Sequence, residues 1–109
     1  MEVHFWVNDN GKVPVAEFLD GIPAKASSKL VKIFEWIELR GLLLEGSFLR
    51  KMVGFHKLWE VRVQFDGVRY RVFVTFKDNI CWLLHGFVKK SAKTPRKELL
   101  IAEKRRKRI

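Results

Sequence analysis

Between Leu58 and Phe65 polar and apolar positions alternate, Asp66-Gly67 interrupts, and the alternation resumes from Val68 to Lys77. A period of two marks strands with one buried face, and Asp-Gly is a strong two-residue hairpin signal. A turn there sets Phe65 opposite Val68. Counting back, Trp59, Val61, Val63 and Phe65 meet Val74, Val72, Tyr70 and Val68 on one apolar face. The other face pairs Gln64 with Arg69, Arg62 with Arg71, and Glu60 with Phe73.

Elsewhere the period changes. Val3 to Val7 reads as a short aromatic-rich strand ended by the turn cluster Asn8-Asp9-Asn10-Gly11. Pro14 suits the first turn of a short helix running to about Asp20, closed by Gly21. Pro23 opens a longer helix in which Leu30, Ile33, Phe34 and Ile37 recur at helical spacing, with a stop at Gly41. Residues 42–57 read as a long irregular connection. After the second turn, Asp78-Asn79, the run from Ile80 to Val88 is apolar at nearly every position, which suits a central strand covered on both faces. Thr94-Pro95 starts a terminal helix ending in a basic cluster.

The order β-α-α-β-β-β-α predicts an α+β fold: a helical hairpin packed on one face of a mainly antiparallel four-stranded sheet, with a basic C-terminal helix. At 109 residues, one domain spanning 1–109 is expected. The single cysteine, Cys81, lies in an apolar run, reads as core, and is consistent with a reducing cytoplasm. No apolar stretch approaches the ~20 residues that span a bilayer, and no signal peptide is visible.

Charge sharpens this reading. The net charge is +10, and from Val88 onward ten Lys or Arg face only Glu98 and Glu103, a net of +8. Such a balance favours a polyanionic partner. The Arg62/Arg71 pair is the most pointed feature, because like charges directly opposite one another in a sheet are destabilising. The pairing suggests an anion between them. If Lys77 pairs with Ile80 across Asp78-Asn79, Arg71 falls opposite Gly86, a residue without a side chain beside two arginines. Lys90 then projects to the arginine side, and Lys89 and His85 to the helix-covered side, His85 as a core histidine. No spacing of His, Cys, Asp or Glu resembles a metal site, and no glycine-rich phosphate loop is present.

The strings Leu58-Trp59-Glu60-Val61-Arg62, Tyr70-Arg71-Val72-Phe73, Leu84-His85-Gly86-Phe87-Val88-Lys89-Lys90 and Thr94-Pro95 resemble the RelE/HigB/ParE toxin superfamily, in its phage-derived, HigB-like branch. The resemblance implies the toxin of a type II toxin-antitoxin module, a cytoplasmic ribosome-dependent endoribonuclease that cuts messenger RNA without metal or other cofactor. Its partners would be a small helix-turn-helix antitoxin, messenger RNA and the ribosome, with no membrane. Arg62 and Arg71 would stabilise phosphorane charge, and Glu60 or Lys90 would be the base. Arg69, Lys89, Lys93, His56 and Lys57 would bind RNA. Relatives often carry a tyrosine or histidine near the C-terminus for proton transfer. Here the only tyrosine is Tyr70, expected on the core side, and no histidine follows His85. Two alternatives accompany this reading: a ParE-like inhibitor of DNA gyrase, and a non-catalytic basic nucleic-acid-binding module.

Overall fold

The computed structural model describes residues 1–46 and 48–109. The elements are β1 (Glu2–Phe5), α1 (Pro14–Gly21), α2 (Ala24–Arg40), a 3₁₀ turn (Gly41–Leu44), β2 (Leu49–Lys51), β3 (Trp59–Phe65), β4 (Val68–Lys77), β5 (Ile80–Lys89) and α3 (Arg96–Arg106). Among the described residues the sheet has five strands in the order β1-β5-β4-β3-β2, with β1 parallel to β5 and the other pairs antiparallel. Four strands were expected from the sequence. The fifth, β2, lies inside the connection read as irregular, where Leu49, Arg50 and Lys51 pair with Val61, Glu60 and Trp59. Three residues are too few to show a period.

The hairpin follows its turn chemistry. Asp66 (φ 52°) and Gly67 (φ 77°) are both left-handed, as a two-residue turn matching strand twist requires, and so are Asp78 (φ 54°) and Asn79 (φ 61°). All seven β3–β4 pairs match the counted register, Arg62 opposite Arg71 among them. Helix α2 starts after Pro23 and buries Ala26, Leu30, Ile33, Phe34 and Ile37. At its end Gly41 (φ 56°) donates its N–H to the Ile37 carbonyl.

The register of β5 differs from expectation. Lys77 pairs with Ile80, but Val74 pairs with Leu83 and Phe73 with His85, so Leu84 is an extra residue on β5. A bulge reverses the facing of everything beyond it. Arg71 therefore pairs with Phe87, and Gly86 pairs with Val72 on the helical-hairpin side. There the ring of Phe18 from α1 lies against it, with Phe18 Cδ2 2.3 Å from where a Cβ would stand. Gly86 serves close packing of helix on strand rather than a hollow beside the arginines.

Two apolar clusters result. On one face Val61, Val63, Tyr70, Val72, Val74 and Leu83 pack beneath α1 and α2. On the other Trp6, Leu58, Phe73, Leu84 and Phe87 pack with Ala102 of α3. Burial pushes the Cys81 thiol up to about 12, which suits a core residue. Among the described residues no helix is long and apolar enough to cross a membrane.

Candidate functional site

The face that carries Arg62 and Arg71 is only partly covered by α3, and its uncovered end gathers charge. Arg71 is almost wholly buried, its side chain 5% exposed, and Arg62 is 31% exposed. Arg71 Nη1 donates to the carbonyls of Val63 at 3.3 Å and Tyr70 at 3.1 Å, which fixes the guanidinium against the backbone of its own hairpin. Glu60, also buried, places Oε1 3.6 Å from the Nε of both arginines. That distance gives attraction but lies outside the usual 2.7–3.2 Å of an N–H···O hydrogen bond. Both Nε–H groups are buried and, among the described residues, have no hydrogen-bond acceptor.

Two buried guanidinium donors left open are costly, because desolvation is not repaid by a hydrogen bond. Burial lowers the affinity of Arg71 for its proton; Glu60 opposes that shift, and Arg62 and Arg69 add to it. Glu60 Oε1 is the anionic oxygen facing both Nε–H groups, and an added anion would make charge-assisted bonds where the two guanidiniums border open space. Beside them lies a cavity of about 210 Å³ lined by Phe48, Arg62, Val63, Gln64 and Arg71.

Lys89 completes the cluster. The bulge at Leu84 turns it to the arginine face, where it pairs with Arg69, whereas the sequence count placed it under the helices. Burial pushes its amine below the ordinary lysine range; Glu60 resists, and Arg71, Arg62 and Arg69 reinforce the shift. Lys90, expected on the arginine side, is instead an exposed residue just past the end of β5. The bulge exchanges the positions of the two lysines relative to the site.

His85 is a further correction. It faces α3 and the arginine side rather than the helical hairpin, with Nε2 3.3 Å from Glu98 Oε2, Nδ1 3.3 Å from Arg105 Nη1, and its ring stacked on Phe87 at 5.9 Å. Burial holds its pKa down; Glu98 raises it and Arg105 lowers it. Tyr70 is buried on the helical-hairpin side, as counted.

The remaining candidates are scattered. Lys93 is exposed in the loop before α3, its carbonyl accepting a 2.6 Å bond from Ser91 Oγ. His56 and Lys57 are exposed ahead of β3, and Lys57 lies beside Thr75 near the Lys77 end of β4, away from the arginines. Its place in the sequence marks Thr94 only as a helix start, yet its hydroxyl lies 3.5 Å from Glu60 Oε2. A contact across 34 residues leaves no local signal in the sequence.

The site thus combines one buried carboxylate, four basic side chains on one sheet face and two unsatisfied guanidinium donors. The family described as Phage derived protein Gp49-like (DUF891) matches residues 17–107, which include every element from α2 to α3 and all of these site residues. Searches of curated proteins and of solved structures gave no match. The chain belongs to the Gp49-like family of phage-derived proteins, within the RelE/HigB-like grouping of toxin-antitoxin toxins.

Proposed function

We propose that this protein is a toxin that cleaves messenger RNA on the ribosome and is held in check by a cognate antitoxin. The observation that carries the reading is the pair of directly opposed arginines, Arg62 and Arg71, lining one cavity on the sheet face. A scissile phosphate would bind beside the pair, in the cavity of about 210 Å³ that both arginines line. The 2′-hydroxyl attacks the adjacent phosphorus, the bond to the 5′-oxygen breaks, and the products are a 2′,3′-cyclic phosphate and a free 5′-hydroxyl. Charge on the phosphorane grows during this step, and fixed guanidiniums in a partly desolvated site stabilise it most.

Lys89 takes the proton from the 2′-hydroxyl. Glu60 is the poorer base, since its carboxylate is engaged between two guanidiniums, and Lys90 lies off the strand. Tyr70 is on the wrong face and His85 is held between Glu98 and Arg105, so solvent protonates the departing 5′-oxygen.

Lys89 acts as a base only as a neutral amine, so cleavage rises with pH. Its lowered pKa places that rise below the ordinary lysine value of about 10.4. Lys89→Arg, which keeps the charge without deprotonating, should remove the rise and slow cleavage about 10²-fold. A profile unchanged by Lys89→Arg excludes the role.

The function itself is tested by inducing the chain alone and mapping RNA ends. Growth should stop, with new 5′-hydroxyl ends inside coding regions. Intact message during arrest would overturn the reading, and DNA damage with intact RNA would replace it with gyrase inhibition.

A further inference from the structure

The opposite end of the same sheet face carries a second cationic cavity, of about 300 Å³. Lys57, Lys77, Arg106 and Lys107 line it together with Thr75 and Ile109. No Asp or Glu is among the residues lining it. Arg106 pairs with Glu103 and Lys77 with the Ile109 main-chain oxygen at 2.9 Å, whereas Lys57 and Lys107 have no Asp or Glu carboxylate within 4.0 Å among the described residues. Like charges gathered around one hollow repel one another, and among the described residues Glu103 beside Arg106 and the Ile109 oxygen beside Lys77 offset that repulsion only in part.

The cavity is held in shape by specific contacts. Thr75, buried, donates its hydroxyl to the Lys57 carbonyl at 2.5 Å, and Lys77 Nζ donates to the Ile109 carbonyl at 2.9 Å. Lys57 itself has φ 54°, a left-handed conformation that strains any residue with a Cβ and that concentrates at functional sites. A glycine would relieve that strain but bring no charge.

Its position relates it to the arginine pair. Thr75 and Lys77 have the same parity on β4 as Arg71 and so lie on the same face, with α3 crossing between the two ends. Six residues at roughly 3.3 Å each put Lys77 about 20 Å from Arg71 along the strand. One strand of nucleic acid passing around α3 would meet both.

We propose that this cavity binds a backbone phosphate of the RNA whose scissile phosphate occupies the arginine pair, anchoring the strand at a second point. The proposal rests on the RNA-cleaving reading above. Single-stranded RNA bearing 2′-O-methyl groups, which cannot be cleaved, serves as the probe for the full chain, with affinity measured across a range of salt concentrations. The double variant Lys57→Gly/Lys77→Ala should bind about tenfold more weakly at low salt. Its slope of log affinity against log salt should be shallower by about 0.7 for one lost phosphate contact on a single strand. Lys57→Gly is chosen because it relaxes the left-handed backbone and so preserves folding. If the double variant matches the wild type in affinity and slope while Arg71→Ala weakens binding, the second site is overturned and the arginine site stands. Loss of inorganic phosphate binding without loss of RNA binding would assign the cavity to a small free anion and overturn the RNA contact. A wild-type chain that binds no RNA overturns both.

Discussion

Arg71→Ala should reduce RNA cleavage by about 10²- to 10³-fold, the usual effect of removing one donor aimed at developing oxyanion charge. It should also lower stability, because Arg71 has two roles. Its Nη1 ties the hairpin carbonyls of Val63 and Tyr70, and its guanidinium offsets a carboxylate, Glu60, that is itself buried. Breaking a buried pair by removing one partner typically costs about 3–5 kcal/mol. Arg62 remains at the same distance from Glu60, so the loss belongs at the lower end of that range. Arg62→Ala separates the two roles. Its side chain is 31% exposed, so deleting it should cost about 1 kcal/mol or less in stability while cleavage falls by a similar factor. Arg71→Lys retains a charge but not the fork that reaches two carbonyls and still offers Nε–H, so it should rescue little activity. Denaturant unfolding and single-turnover cleavage, measured on the same preparations, check the pattern. Full activity in a folded Arg62→Ala protein would sink the anion-site argument.

Gly86→Ala should lower stability by about 1–3 kcal/mol, the common cost of overpacking a close-packed contact. The new Cβ would stand 2.3 Å from Phe18 Cδ2, 2.5 Å from Cγ and 2.9 Å from Cε2, so the ring and with it α1 must move. At roughly 4 °C or more per kcal/mol for a domain of this size, melting should drop by about 5–15 °C. Phe18→Leu should recover part of the loss, and the coupling in the double-mutant cycle identifies the clash as the cause. Cleavage per folded molecule should be unchanged, because Gly86 faces the helical hairpin and the arginines face away from it. The register counted from sequence predicts the reverse: an alanine beside Arg62 and Arg71 that crowds the anion and leaves stability nearly intact. Thermal melts and activity normalised to folded protein decide between them.

These two variants mark where the sequence was legible and where it was not. Arg62 and Arg71 lie on strands that alternate cleanly and are joined by Asp66-Gly67, so both the turn and the phase could be read directly. Ile80 to Val88 is apolar on both faces because β5 is central and covered from two sides. A strand without alternation has no phase to read, and one extra residue at Leu84 passes unnoticed. The bulge is a tertiary feature. Leu84 is buried among Trp6, Phe73 and Ala102, and its carbonyl accepts a 2.8 Å bond from Arg105 Nη1, a residue 21 positions away. Everything beyond Leu84 changes side, which is why Lys89 rather than Lys90 joins the arginines and why His85 meets Glu98.

The sequence by itself determined the hairpin, its register, the long helix with its one apolar face, and the juxtaposition of two arginines. These are consequences of local turn chemistry and of periods two and 3.6. Only the tertiary structure decided what stands around that pair. The bulge selected Lys89, the return of α3 over the sheet split its charged face into two ends, and side-chain packing on the paired strands β3 and β4 placed Glu60 3.6 Å from the Nε of both arginines without a hydrogen bond to either. Contacts between residues far apart in the chain are set by packing, and packing leaves no period in the sequence.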